Sequence, residues 1–527
     1  DRAEYALTRA SSLFALGAVR QRFGEVDRPD PHDATGLLRD LALHKNELEG
    51  SDRRRAKSIL ARPTDGASDP QNDGYKPSAN VKTQCYDHDG DSMTAEVCFN
   101  WVTSTSDAVS PADTNANQIP DFVDAASYSM VDVWQKEIVD LGFRRPQSDA
   151  NSKNNGSTTE EGQVGALDVY LADIGDDGLY GYCTTDEPGA ATKKTVSAYC
   201  VIDNDYDPSQ YSAPRPEVSG EQALQVTLAH EFFHAIQFNY DWREALFLME
   251  GTAVWMENEV YDGIDASYAY IFDSALHQPE IPLDAYQGGN DDENFEYGAF
   301  VFFTWLSEVY GPGWPGSDPT IVREVWEQAG GTKRGIGAVK AAVTNGDWDA
   351  ADSGVTPYPG PSTPFRDFFA EWGAANYWYD AYYEEGYLDG GPCQFKPNSY
   401  FHTLRCFRPP TDGQFVLGAD NAKTGWRSLP MDRLSTRYVE MFPGGPAATN
   451  QLKVWVDLPA KARGGEATIL KLSPEGYPST TRIKLNADGD GSKTVPFKGS
   501  VYTVHLVLSN TGSNNNETYK YKAEVIS

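Results

Sequence analysis

Two imidazoles stand four residues apart in His230-Glu231-Phe232-Phe233-His234, with a carboxylate directly after the first. On a helix, positions i and i+4 share a face, so the rings converge on one point and Glu231 stands beside it. Catalysis by zinc needs this arrangement: neutral imidazoles hold the ion, and a carboxylate takes the proton from water whose pKa the metal has lowered to about 7. The plainer reading is two buried structural histidines with an incidental glutamate. The helical periodicity around the motif, in a chain with only eight histidines, weighs against it.

A catalytic zinc site takes a third protein ligand and keeps an open position. Glu250, in Met249-Glu250-Gly251-Thr252-Ala253-Val254-Trp255-Met256-Glu257, is the expected ligand on a second helix. Gly251 after it permits a close backbone approach. Glu257, two turns further on the same face, and Glu259 compete for the role. An oxyanion donor is also required; Tyr297, at the start of a later helix, is the candidate, with His277 as the alternative.

A second motif, Asp113-Thr114-Asn115-Ala116-Asn117-Gln118-Ile119-Pro120-Asp121-Phe122-Val123-Asp124, matches the oxygen spacing of a calcium loop. Asp113, Asn115, Asn117, the Ile119 carbonyl, Asp121 and Asp124 would be the calcium ligands. Gln118 stands where such a loop wants glycine, and Asp124 replaces the usual glutamate. A polar turn capping the next helix is the other reading. The Asp87, Asp89, Asp91 and Asp203, Asp205, Asp207 runs are further candidate sites, against the plainer reading of solvated acidic loops in an acidic chain.

The pair His230 to His234 followed by Glu250-Gly251-Thr252-Ala253 resembles the gluzincin metallopeptidases. The wider run from Ala229 to Asp262 is similar to a family of secreted bacterial zinc metalloproteases, distantly related to immune-inhibitor-A-like and thermolysin-like peptidases. The resemblance implies a zincin-like catalytic domain, Zn2+ on His230, His234 and Glu250, and Glu231 as general base. Two departures stand out. Residues 235 to 250 hold no third histidine of the metzincin kind, and Val254 occupies the position four after Glu250 where thermolysin-like enzymes carry an aspartate.

These residues need elements to position them. Glu221 to Phe238 reads as a helix, with Leu224, Leu228, Phe232, Ala235 and Ile236 at helical spacing and a Ser219/Gln222 capping box. Leu167–Leu171 and Ala198–Ile202 read as strands, and 297–309 and 363–379 as further helices. The expected class is α+β, in three parts. Residues 1–65 form a helical region, either a pro-region or an ordinary helical layer, and 66–425 the zincin-like domain. Residues 426–527, whose strand-like runs are separated by turns, form an accessory β-sandwich.

Composition narrows the setting. A hydrophobic fraction of 40% can fill sizeable cores, while a net charge of −33 disfavours nucleic acid and anionic membrane surfaces as partners. No run approaches the length needed to span a bilayer. The opening Asp1-Arg2-Ala3-Glu4 lacks the basic start and apolar run of a secretory leader, which suits a processed form. Six cysteines fall into close couples, Cys85/Cys98, Cys183/Cys200 and Cys393/Cys406, favouring disulfides and a secreted, extracellular protein. The expected function is a zinc peptidase acting on extracellular proteins or peptides. Its rival is a non-catalytic surface or matrix protein with a structural metal. The oligomeric state stays open.

Overall fold

The structure, a computed structural model, describes residues 2–14, 34–68, 75, 81–88, 90, 96–150, 165–211, 218, 220–286, 294–309, 318–345, 364–377, 383, 408–418, 421–444, 451–472, 478–498, 501 and 503–526. The chain is mixed α+β, as expected, and divides into two compact units. The first comprises Asp1–Ala269, Gly288–Glu293 and Trp326–Arg334; the second comprises Tyr270–Gln287, Asn294–Val325 and Gly335–Ser527.

The first unit is built on a five-stranded sheet of β1 (Lys82–Tyr86), β2 (Val97–Trp101), β3 (Leu167–Ala172), β4 (Gly181–Thr184) and β5 (Tyr199–Asp203), in the order β1-β2-β3-β5-β4. The central strands β2, β3 and β5 run parallel, and β1 and β4 are antiparallel edges. All residues of β3 and β5 are buried, as parallel strands covered on both faces require. Cys85 and Cys98 are disulfide-bonded at directly opposed positions of β1 and β2, and Cys183 and Cys200 likewise on β4 and β5. These are the expected pairings. Cys393 and Cys406 lie outside the described residues.

Helices α1 (Arg2–Phe14), α2 (Ala34–His44) and α3 (Gly50–Ile59) pack together and join this unit. α4 (Asp121–Trp134) runs into a single π-helical turn, Gln135–Asp140. Helix α5 (Gly220–Asp241) carries the histidine motif, and α6 (Leu246–Val260) follows it. The periodicity of α5 suggests one apolar face, but nearly every side chain from Ala223 to Asp241 is buried, as in a helix surrounded by protein. Ser219 of the expected capping box is outside the described residues.

An ion cluster locks the end of the N-terminal layer to the sheet. Arg62, fully buried, pairs with Asp149 and Asp186 at 3.0 Å each and with Asp168 of β3. Asp168 also accepts a bond from Asn100 at 3.2 Å. Burial pushes the Asp149 carboxyl up to about 6 against the pull of Arg62. Removing one member of a buried charge cluster leaves the others uncompensated, at a cost of about 3–5 kcal/mol. Arg62→Ala should therefore lower the unfolding free energy by about that much, read by denaturant titration; a change below about 1 kcal/mol would show that the cluster is self-sufficient without the arginine.

In the second unit, β6 (Gly413–Gly418), β8 (Ser435–Gly444), β10 (Gly465–Leu472), β11 (Pro478–Arg482) and β13 (Thr503–Asn510) form one sheet, ordered β11-β10-β13-β8-β6. A second sheet, β12-β9-β14-β7, contains β7 (Arg427–Met431), β9 (Gln451–Asp457), β12 (Asp490–Pro496) and β14 (Glu517–Ile526). Alternate residues of both, among them Val439, Ile469, Leu506, Val454 and Tyr521, meet in one apolar core. Helix α7 (Phe365–Asn376) lies against β10 and β13, where the Tyr438 hydroxyl donates to the Gly373 carbonyl at 2.6 Å.

Candidate metal centre

Helices α5 and α6 bring three acceptor atoms to one point. His230 Nε2 and His234 Nε2 lie 3.0 Å apart, and Glu250 Oε2 lies 3.4 and 3.1 Å from them. Ligands at 2.0–2.1 Å around a tetrahedral ion stand roughly 3.3 Å apart. Among the described residues this is the group of three that could hold a metal ion. Glu250 and His234 are fully buried and His230 nearly so.

The far side of each imidazole decides what the near side offers. His230 Nδ1 is 2.8 Å from Glu257 Oε1, and His234 Nδ1 is 2.8 Å from Gln237 Oε1. The Gln237 amide nitrogen donates to the Met249 carbonyl (2.9 Å) and to Thr252 Oγ1 (3.2 Å), which turns its oxygen to His234. Thr252 is itself held by the Trp326 indole at 3.1 Å. Both Nδ1 atoms therefore face acceptors and carry protons, so in neutral rings both Nε2 atoms present lone pairs. Two lone pairs and a carboxylate converging in a dry site require positive charge among them, either a proton or a metal ion.

The ionisation of these groups follows. Burial alone would keep His230 neutral, but Glu250 and Glu257, with the charge of Glu231, outweigh it and push its pKa up to about 10. Burial opposes ionisation of Glu250 too, yet the two imidazoles hold its carboxyl well below the usual range. A metal must displace the proton on His230. Glu257, a rival for the ligand role, instead accepts from His230, and it supplies the carboxylate support that Val254 cannot.

The Glu231 side chain is 6% exposed. Burial raises its pKa, partly offset by His234 and His230. Its Oε2 accepts from the Thr35 hydroxyl of α2 at 3.2 Å. Gly181 of β4 also approaches it closely: a Cβ there would lie 2.9 Å from Glu231 Cγ and 3.2 Å from Oε1. Glu137, on the π-helical turn, is a further buried carboxyl; burial raises its pKa well above the ordinary value, against the pull of His230.

The other expected residues have the following surroundings. In the loop from Asp113 to Asp124, Asp113 accepts from the Asn117 (3.1 Å) and Gln118 (2.9 Å) amides, and Asp121 accepts from Thr114 N. The Asn115 and Asn117 side-chain amides donate to Asp124. Asn117 Oδ1 accepts from Ile119 N, and Gln118 adopts φ 72°, so these side-chain oxygens serve donors of the loop itself. Tyr297 belongs to the second unit, fully buried and stacked on Tyr270 with ring centroids 5.1 Å apart; His277, in the same unit, meets Phe272 edge-on. Asp203 accepts from the Gly175 and Tyr206 amides, a turn-building role. Asp89 and Asp91 lie outside the described residues.

No protein-family model matches the chain, and no curated protein matches it. Gln237 and Thr35 escaped the sequence reading. Gln237 carried a usable signal, three residues after His234 on one helix face, whereas Thr35, 196 residues from Glu231, carried none.

Two measurements check the centre. Glu250→Ala should lose the metal on dialysis, while Glu257→Ala should keep it with affinity about 10- to 100-fold weaker; the opposite ranking would make Glu257 the ligand. Because burial of His230 is outweighed by Glu250 and Glu257, which push its pKa up to about 10, zinc binding at pH 7 should release a proton. Calorimetry in buffers of different ionisation enthalpy reads this directly, and buffer-independent heats would count against it.

Proposed function

We propose that the chain is a secreted zinc-dependent peptidase, with a zincin-like catalytic domain and an accessory β-sandwich, that hydrolyses peptide bonds of extracellular proteins or peptides. The observation that carries this reading is a carboxylate, Glu231, held beside three converging acceptors on the same helix as two of them. His230, His234 and Glu250 would hold the metal, which when bound supplies a Lewis acid and makes water nucleophilic near neutral pH. A donor set of two imidazoles and one carboxylate suits zinc. The resemblance around Ala229 to Asp262 directs the reading to peptide bonds.

The chain's own residues divide the remaining work. Glu257 and Gln237 fix the ring orientations and hold the Nδ1 protons, so that Nε2 points inward. Glu231, with its pKa raised by burial, is matched to accept a proton and return it to the leaving amine. The disulfides support the extracellular setting, and no helix among the described residues is long and apolar enough to cross a membrane.

Purified protein should contain about one zinc per chain and cleave casein. A chelator should stop cleavage and zinc should restore it. Glu231→Gln should keep the zinc while kcat falls by roughly three orders of magnitude or more. Bound zinc without turnover, or a Gln variant as fast as the parent, would favour a structural metal in a binding protein.

A further inference from the structure

We infer that Thr35 is a positioning residue for Glu231, and that α2 is a permanent wall of the site. This rests on the peptidase reading. Thr35 is 1% exposed and stands at the first turn of α2. Its Oγ1 accepts the Cys183 backbone N–H at 2.9 Å and donates its own proton to Glu231 Oε2 at 3.2 Å. The hydroxyl has one proton, and with the Cys183 N–H pointing at its oxygen, that proton is directed to the carboxylate. Oε2 is thereby held, and Oε1 lies on the side where Gly181 has no side chain. Thr35 selects which oxygen takes the proton in turnover, and the missing side chain at Gly181 lets β4 pack close to Glu231 without displacing it.

Two further contacts make α2 a fixture. Arg39 of α2 donates to the Glu244 carbonyl at 2.7 Å and meets Met249 Sδ at 2.9 Å, next to Glu250. Arg62, further along the same N-terminal layer, neutralises three buried aspartates. A segment that left on activation would strand those charges in the interior. Helix α2 thus touches Glu231 through Thr35 and the ligand-bearing helix through Arg39, one turn further on, and the layer is anchored beyond by Arg62.

The test compares Thr35→Val, which keeps the shape and removes the hydroxyl, with Thr35→Ser, which keeps the hydroxyl. Thr35→Val should retain one zinc per chain, lower kcat by at least about tenfold and leave KM within about twofold, since the held oxygen belongs to the chemical step. Thr35→Ser should restore most of the loss. A faster Thr35→Val enzyme would mean that α2 obstructs the site, and unchanged kcat, or a loss that serine does not rescue, would reduce Thr35 to packing; each overturns the inference.

A second readout needs no activity. In metal-free protein, melting temperatures of Thr35→Val, Glu231→Ala and the double variant form a cycle. The double variant should be less destabilised than the sum of the singles, and strict additivity would remove the contact. If the parent chain cleaves nothing, the peptidase reading fails by itself, and the cycle still decides whether Thr35 holds Glu231.

Discussion

Concentrating electron-rich atoms in a dry interior is unfavourable unless positive charge accompanies them. At the junction of α5 and α6 the chain does so, placing two imidazole nitrogens and the Glu250 carboxylate within 3.4 Å of one another. Much of the surrounding architecture keeps that arrangement from relaxing. Glu257 and Gln237 occupy the outward nitrogens, so neither ring can turn a proton inward by changing tautomer without losing a buried bond. The chain from Trp326 to Thr252 to Gln237 extends this restraint to Trp326, which also packs on Phe233 and Tyr240 of α5. Burial of α5 on nearly all sides removes the freedom that a surface helix would have to tilt and open the cluster.

The same rule governs the sheet. An aspartate within a fully buried parallel strand has no compensating charge on its own strand, and Asp168 finds one in Arg62, 106 residues earlier. The two disulfides sit at the outer pairs of this sheet, where each antiparallel edge strand meets its parallel neighbour. β4 is the edge that carries both Gly181 and the Cys183 amide, so its tether holds the strand that faces Glu231.

What the sequence discloses depends on how far apart the cooperating residues lie. His230, Glu231 and His234 follow from helix geometry alone. Glu250 lies one turn and part of a helix away, and small residues after it made it readable. Glu257 was legible as a neighbour of the centre but not in its role, because two carboxylates on one helix face differ only in the rotamers that tertiary packing selects. The short strand runs around Leu167, Tyr199, Val454 and Leu506 announced themselves through β-branched and aromatic content. Thr35 and Arg62 did not: an ordinary threonine and arginine in helical surroundings acquire meaning only when the fold brings them to Glu231 and Asp168. The acidic loop at Asp113 shows the opposite limit, since its spacing is readable but the same oxygens can serve its own amides.

The separation of partners along the chain bears on the order in which the site is assembled. His230, His234 and Glu250 occupy two successive helices and need only local contacts to meet. The bond from Thr35 to Glu231 spans 196 residues, and that from Arg39 to the Glu244 carbonyl spans 205. Contacts of such separation bear the loop-closure entropy of everything between them and form late. A folding chain can therefore bring His230, His234 and Glu250 together while Glu231 beside them is still unoriented, so that convergence of the three acceptors and orientation of the neighbouring carboxylate are separate events in the maturation of one molecule.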